Sequence, residues 1–348
     1  MLRYLTAGES HGKCLIGILE GMPSGLNVDT GTINLELKRR QAGFGRGPRM
    51  AIESDTASIL SGLRKGVTIG SPIALLIENK DASIDKLSVI TRPRPGHADL
   101  AGVIKYDRDD IRDILERASA RETAMRVAIG AICKAFLDEF GIRIGSHVVE
   151  IGGAKNRTTM IKKAGVCAKI GETLGGICEI TAAAVPIGLG SHVHYDRRLD
   201  ARIAAAMMSI QAIKGVEIGL GFAAARLTGS KVHDEIIFDR KSGFSRATNN
   251  AGGLEGGITN GEPIVVRIAM KPIATLGKPL SSVDIKTKQK IRAQVERHDV
   301  CAVHAASVVA EGVLAFEIAG AMAEKFGGDS LREMKRNYDG YIKQVKTF

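Results

Sequence analysis

Two distant stretches of this chain lie on one another without a gap. SGLRKGVTIGSPIALLIENKD (61–81) aligns on GGLEGGITNGEPIVVRIAMKP (252–272), with nine of 21 positions identical. Chance matching at this composition gives only about one or two. A second match follows in each half: ERASARETAMRVAIGAICKAF (116–136) lies over ERHDVCAVHAASVVAEGVLAF (296–316), opening on Glu-Arg and closing on Ala-Phe. The order is the same both times: a glycine-rich turn, a strand, then a helix entered through Glu-Arg. We read this as an ancient duplication. Duplicated units build one pseudo-symmetric body, so residues 1–348 are expected to form a single domain of two units, roughly 1–140 and 141–348. Arg117 and Arg297 then occupy equivalent places and can converge on one ligand across the pseudo-axis.

The local patterns predict both kinds of element. Residues 31–42 read as a short helix. Residues 109–140 carry apolar side chains at 111, 114, 115, 125, 129, 132, 133 and 136, which is helical spacing, and Gly141 ends the run. Residues 144–151 and 177–188 read as strands; 198–213, 284–296, 302–325 and 330–346 read as helices. Strands and helices do not alternate cleanly, which predicts α+β architecture rather than a doubly wound parallel sheet.

Forty-nine Lys and Arg against 38 Asp and Glu give a net charge of +11. The basic residues are spread through folded-looking segments rather than gathered in a tail. Trp is absent and aromatics are few, so stacking platforms for single-stranded nucleic acid are poor. A small anionic ligand is the better expectation, with no nucleic acid and no membrane partner. No apolar run predicts a transmembrane helix, and MLRYLTAGESHG lacks a signal-peptide layout. The five cysteines (14, 133, 167, 178, 301) are scattered, which fits a reduced cytoplasmic protein and offers no metal-ligand spacing.

Five stretches hold more polar punctuation than a core needs. GESHGK (8–13) places His11 in a tight turn. RRQAGFGRGPRM (39–50) sets Arg39, Arg40, Arg46 and Arg49 among glycines. Glycine lets backbone N–H groups approach an anion, and guanidinium forks bind phosphate or carboxylate in pairs. The G-K-[ST] ending of a P-loop is missing, and a solvated basic loop fits these residues equally. RPRPGHAD (92–99) stiffens a loop around His97, between Arg94 and Asp99. That suits proton transfer, and also a histidine that merely bonds its own loop. ERASARETAMR (116–126) spaces Arg117, Arg121 and Arg126 on a helix, where Glu116 and Glu122 are alternative partners. The fifth set is NNAGGLEGGITNG (249–261), MKPIAT (270–275) and ERHDVCA (296–302).

In this order, GESHG, RRQAGFGRGPRM, RPGHAD, RASARETAMR, QAIKGVEIG, AGGLEGGITNG and ERHDVCA resemble the motifs of chorismate synthases, over essentially the whole chain. The resemblance implies an α+β sandwich of antiparallel sheets and helices with an internally duplicated core, assembled as a homotetramer. It implies anti-1,4-elimination of phosphate from 5-enolpyruvylshikimate 3-phosphate, giving chorismate. Reduced FMN is required without net redox change, and some members reduce it with NADPH. By position, His11 resembles the acid for leaving phosphate, His97 the histidine that protonates the reduced flavin, and Asp299 the carboxylate assisting at flavin N5. Flavin contacts fall on Arg117, Ala118, Ser119, Gln211, Ala212, Gly256, Lys271, Pro272, Ile273, Ala274, Thr275 and Arg297. Arg40 and Arg46 match positions for NADP or substrate; Arg49 and Arg126 resemble substrate arginines. Val300, His304 and Ala305 depart from the family pattern, which puts one arginine contact to substrate in question.

Overall fold

The computed structural model describes residues 1–45, 54–240, 243–296 and 299–348. In chain order the first half supplies β1 (Arg3–Ala7), β2 (Cys14–Glu20), α1 (Thr30–Gln41), β3 (Ala57–Ile59), the short hairpin β4 (Leu63–Arg64) and β5 (Val67–Thr68), β6 (Ile73–Glu78), α2 (Asp99–Tyr106), α3 (Arg112–Leu115) and α4 (Thr123–Asp138). The second half supplies β7 (Arg143–Ile151), α5 (Arg157–Ile170), β8 (Gly176–Ala183), α6 (Leu199–Met208) and β9 (Ile213–Ile218). Three hairpins and one long strand follow: β10 (Ile236–Asp239) with β11 (Gly243–Arg246), β12 (Leu254–Glu255) with β13 (Ile258–Thr259), β14 (Ile264–Met270), and β15 (Ser281–Val283) with β16 (Lys290–Arg292). Helices α7 (Val303–Phe326) and α8 (Leu331–Thr347) end the chain.

Two four-stranded antiparallel sheets carry the architecture. One runs β1-β2-β6-β3, the other β7-β8-β14-β9. In each, the sheet's last strand in sequence is inserted beside its second, so the strand orders correspond. The hairpins β4–β5 and β12–β13 correspond in detail. Thr68 Oγ1 donates to Pro23 O at 2.6 Å and accepts from Leu26 N–H at 2.9 Å. Thr259 Oγ1 donates to Pro186 O at 2.6 Å and accepts from Leu189 N–H at 2.8 Å.

The helices lie between the sheets. On β2, Leu15, Gly17 and Leu19 face inward, while Ile16 and Ile18 face out, the alternation of a half-buried strand. Helix α4 packs on β2 and β6, α7 packs on β7 and β8, and the two helices pack on one another. Their contact is set by glycine. A Cβ on Gly130 would lie 2.3 Å from the Cα of Gly312, so these backbones touch where no side chain fits. Buried side chains from both halves form one continuous cluster. By length and composition α7 could cross a membrane, but it is the buried central helix of this sandwich.

Two expected helices differ. Residues 284–296 are not helical: they contribute β16 and a turn in which Asp284 Oδ1 accepts the N–H groups of Lys286 and Thr287. That side chain offers the backbone a local alternative to helical bonding, and Lys288 sits at φ +62°. Residues 109–140 do not form one helix. Ser119 is extended (ψ 142°) and its hydroxyl accepts from Arg121 N–H, so α4 begins afresh after a short 3-10 turn. Elements 31–42, 144–151, 302–325 and 330–346 are found within a residue or so of their expected limits. The strand at 177–188 is shorter, and 198–213 stops as a helix at Met208.

The glycine crossing yields a prediction of sign. In an ordinary helix Gly→Ala stabilises by roughly 0.5–1 kcal/mol. Gly130→Ala should instead destabilise by about 1–3 kcal/mol, the cost of overpacking. A urea midpoint equal to or above that of the unaltered protein would contradict the crossing.

Candidate active site

A cavity of about 560 Å³ opens where the two halves meet. The first half contributes the turn at residues 10 and 11, the loop at 94–98 and the interrupted segment 112–123. The second half contributes 210–212, the strand end and loop at 270–275, and residues of the α7 approach.

Local structure explains each histidine. The His11 turn reverses at Gly8 (φ +105°), where a Cβ would lie 2.2 Å from Cys14 O. Ser10 N–H donates to Glu116 O at 3.0 Å, tying the turn to the interrupted helix. The Glu116 carboxylate is 2.7 Å from His11 Nδ1, and its other oxygen accepts from Arg112 Nη1 at 3.1 Å. The proline-rich loop around His97 is clamped from the second half. Ser282 Oγ donates to Pro93 O at 2.6 Å, Ile285 N–H to Thr91 O at 2.9 Å, and Arg94 Nη1 to Thr275 Oγ1 at 2.8 Å. Lys271 Nζ donates to Gly96 O. His97 Nδ1 is 2.6 Å from Asp99, whose carboxylate also accepts from Arg94 Nε at 2.8 Å.

Four guanidinium groups, those of Arg40, Arg94, Arg112 and Arg121, line the cavity, and all four residues are buried. Buried charge is tolerable only when paired and hydrogen-bonded. Asp55 serves two of them, at 2.5 Å from Arg121 Nη1 and 3.5 Å from Arg40 Nη1. Asp99 serves Arg94 and Glu116 serves Arg112. Burial pushes the Asp99 carboxyl upward, but hydrogen bonds from His97 and Arg94 and the charge of Arg94 outweigh it and hold the group well below its usual range. Glu116 behaves alike: burial raises it, while the His11 bond and charge and those of Arg112 bring it below its ordinary value.

Most residues named from the sequence meet here. His11, His97, Asp299, Arg40, Ala118, Ser119, Gln211, Ala212, Lys271, Ile273, Ala274 and Thr275 all line the cavity. Pro272 does not, and its backbone instead backs onto Gly175. Gly256 sits in the β12–β13 turn, away from the cavity wall. The Arg117 guanidinium donates to Gly8 O at 3.0 Å and Thr6 O at 2.9 Å, anchoring the strand that leads to His11 rather than facing the cavity. Arg126 also lies outside the wall, held by Glu122 at 3.0 Å and Ser209 at 2.7 Å. Arg46, Arg49 and Arg297 lie outside the described residues. Of the departures from the family pattern, Ala305 lines the cavity and His304 packs edge-on against Phe44 at 4.6 Å.

The site list drawn from sequence omitted Arg94, Arg112, Arg121, Ser10 and Glu116. In the sequence Glu116 reads only as a partner for the arginines that follow it, and Arg112 is not singled out, yet the two form a pair that is 7% and 1% exposed. The signal available was the small-residue sequence Ala-Ser-Ala after Arg117, where the helix breaks.

The family model described as chorismate synthase matches residues 2–323. A curated chorismate synthase of Thermoanaerobacter pseudethanolicus is 58% identical over 350 residues, covering 100% of both chains. One from Geobacter sulfurreducens is 54% identical over 393 residues, again covering 100% of both. A solved structure titled "Crystal Structure of Chorismate Synthase" matches with a TM-score of 0.83 at 47% identity, covering 100% of this chain and 99% of that one.

The buried carboxylates set the acid stability. A carboxyl held below its unfolded value contributes stability that is fully present above that value and is lost as pH falls through the folded one. For Asp99 and Glu116 the unfolded values are near 3.8 and 4.5. Stability should therefore fall on acidification from about pH 5 downward, and Asp99→Asn should flatten that fall. Because it breaks a buried pair, the variant should also lose about 3–5 kcal/mol at neutral pH. Parallel acid profiles for the two proteins would contradict the assignment.

Proposed function

This chain belongs to the chorismate synthase family, and from that premise we propose how its cavity is used. The activity is that of the family: phosphate leaves 5-enolpyruvylshikimate 3-phosphate and chorismate forms, in aromatic biosynthesis. The observation that carries the site assignment is the convergence of four buried guanidiniums and two carboxylate-held histidines on one cavity.

The substrate brings a phosphate and two carboxylates. Their mutual repulsion in a water-poor site needs fixed cations, and Arg40, Arg94, Arg112 and Arg121 meet that need from the wall. His11 is the acid for the leaving phosphate, acting through the ring nitrogen not bonded to Glu116. His97 handles the second proton, at the flavin, and Asp299 on the same wall assists hydrogen removal.

The residues present fit reduced FMN. Gln211 Oε1 is buried without a partner on the protein, while its amide nitrogen donates to Glu122 at 3.2 Å. The ionised Glu122 fixes which end of the amide is the donor, so an acceptor is left for a ring N–H group. Ala118, Ser119, Gln211, Ala212 and residues 271–275 would hold the cofactor. Reduced FMN, when bound, supplies transient electron donation that helps expel phosphate with no net redox change. Arg40, with Arg46 beyond the described residues, would take NADPH if this chain reduces its own flavin.

The proposal extends to a single duplicated domain, supported by the matching strand orders and the paired Thr68 and Thr259 bonds. It extends also to a cytoplasmic homotetramer. The free cysteines support the location. Supporting the assembly, Leu5, Ile16 and Ile18 are exposed on the outer face of the first sheet, and Ile236, Phe238 and Phe244 on the β10–β11 hairpin. Light scattering should give a tetramer; a monomeric mass would contradict it.

The central test is anaerobic. Protein, substrate and photoreduced FMN should yield chorismate absorbance, and no product would refute the reading. His97→Ala should lower turnover by about 10²–10⁴-fold with the fold retained; a rate equal to the unaltered enzyme would remove His97 from the mechanism.

A further inference from the structure

Both histidines on the cavity wall are bonded through the same ring atom to a carboxylate that is itself out of solvent. Glu116 is 1% exposed and Asp99 is 0% exposed. We propose that Glu116 and Asp99 are positioning residues that fix the Nδ1–H form of His11 and His97, so that Nε2 is the nitrogen each ring turns to the reactants. The proposal rests on the functional reading above and deepens it.

At His11 the hold is double. Glu116 Oε2 lies 2.7 Å from Nδ1 and also accepts the backbone N–H of His11 at 3.2 Å, so one oxygen fixes ring and main chain together. Oε1 is committed to Arg112 Nη1 at 3.1 Å. An ionised carboxylate only accepts, so the proton of this contact belongs to Nδ1.

His97 reaches the same state against a competitor. Its Nδ1 is 2.6 Å from Asp99 Oδ1 and 3.1 Å from Arg94 Nη2. Arginine only donates and carboxylate only accepts, so Nδ1 can satisfy one of them. The shorter contact is to Asp99, and Arg94 Nη2 has its own acceptor in the same Oδ1 at 3.0 Å. Arg94 backbone N–H and Nε both donate to Oδ2, at 3.0 and 2.8 Å, which locks the carboxylate plane. With Nδ1 occupied in both rings, Nε2 is what remains for the cavity. Fixing a tautomer through the far ring nitrogen is a known route to large catalytic effects.

Amide substitution separates this role from simple packing. In Glu116→Gln, Arg112 and the His11 backbone N–H both demand the oxygen, and only one can have it. With the oxygen on Arg112, the NH₂ group faces Nδ1. The ring must then offer a lone pair there, its proton moves to Nε2, and it cannot hold a second proton at Nδ1. In Asp99→Asn the backbone N–H and Nε of Arg94 claim the oxygen, and the NH₂ group faces His97 in the same way. Shape is nearly conserved in both variants, and the proton pattern is reversed.

The experiment is ¹⁵N NMR of histidine-labelled protein without substrate or flavin, at a pH where the rings are neutral, alongside steady-state kinetics. Unaltered protein should show His11 and His97 as Nδ1–H rings. Glu116→Gln should convert His11 alone, and Asp99→Asn His97 alone, to the Nε2–H form. Each should lower kcat by about 10²–10⁴-fold while KM changes little. Nε2–H rings in the unaltered protein would overturn the proposal even if neither variant folds. So would a variant whose ring form does not change, or one that changes form yet turns over at the unaltered rate. Absence of chorismate formation by the unaltered enzyme would instead strike the functional reading, because the ring assignment needs no substrate.

Discussion

Everything at this site depends on keeping positive charge out of water without neutralising it. Arg40, Arg94, Arg112 and Arg121 are buried on one cavity, and three carboxylates make that possible: Asp55, Asp99 and Glu116. Each carboxylate is nearly or wholly buried and shared between at least two cationic or imidazole partners. Four guanidiniums against three carboxylates leave this set net positive, and the neutral acceptors that take other donors, Thr123, Thr275, Ser88 O and Asn79, do not offset that charge. A ligand carrying phosphate and carboxylates completes the balance, and the electrostatic work is done before it arrives.

The fold supplies this arrangement by bringing the two halves of the chain together. The Gly130–Gly312 contact sets the central helices close, and the cavity lies near the N-terminal ends of α4 and α7. The break at Ser119 matters as much as the helices beside it. A continuous helix through 109–140 would carry Arg112 and Arg121 around a cylinder; the extended residue lets both be buried on the same wall. The second half does more than cover the first. Through Ser282, Thr275, Lys271 and Ile285 it straps the loop of His97, and Pro93 and Pro95 just before the histidine act in the same direction: little entropy remains to be lost when the imidazole is aimed.

Much of this was legible in the residues. The alignment of 61–81 on 252–272 places β4, β5 and β6 on β12, β13 and β14, and the motif order named the family. The failures have physical causes. Residues 284–296 have helix-forming side chains at their surface positions, but Asp284 captures its own following backbone and turns the chain. Nothing in its local sequence marks Arg112; burial, which depends on contacts far away in sequence, makes it and Glu116 part of the site. Arg117 was expected to meet a shared ligand on account of its repeat position, and the flavin on account of the family resemblance, while its guanidinium donates to Thr6 and Gly8. Spacing along a chain locates a side chain on an element, but the partner that claims its hydrogen bonds is set by tertiary structure.

The most direct measurement is a crystal structure with substrate and FMN bound together. The account predicts ligand phosphate or carboxylate oxygens within about 3 Å of guanidinium nitrogens of Arg40, Arg94, Arg112 and Arg121, in the cavity between the halves. Ligands seated elsewhere, with no ligand oxygen on any of these four arginines, would contradict it.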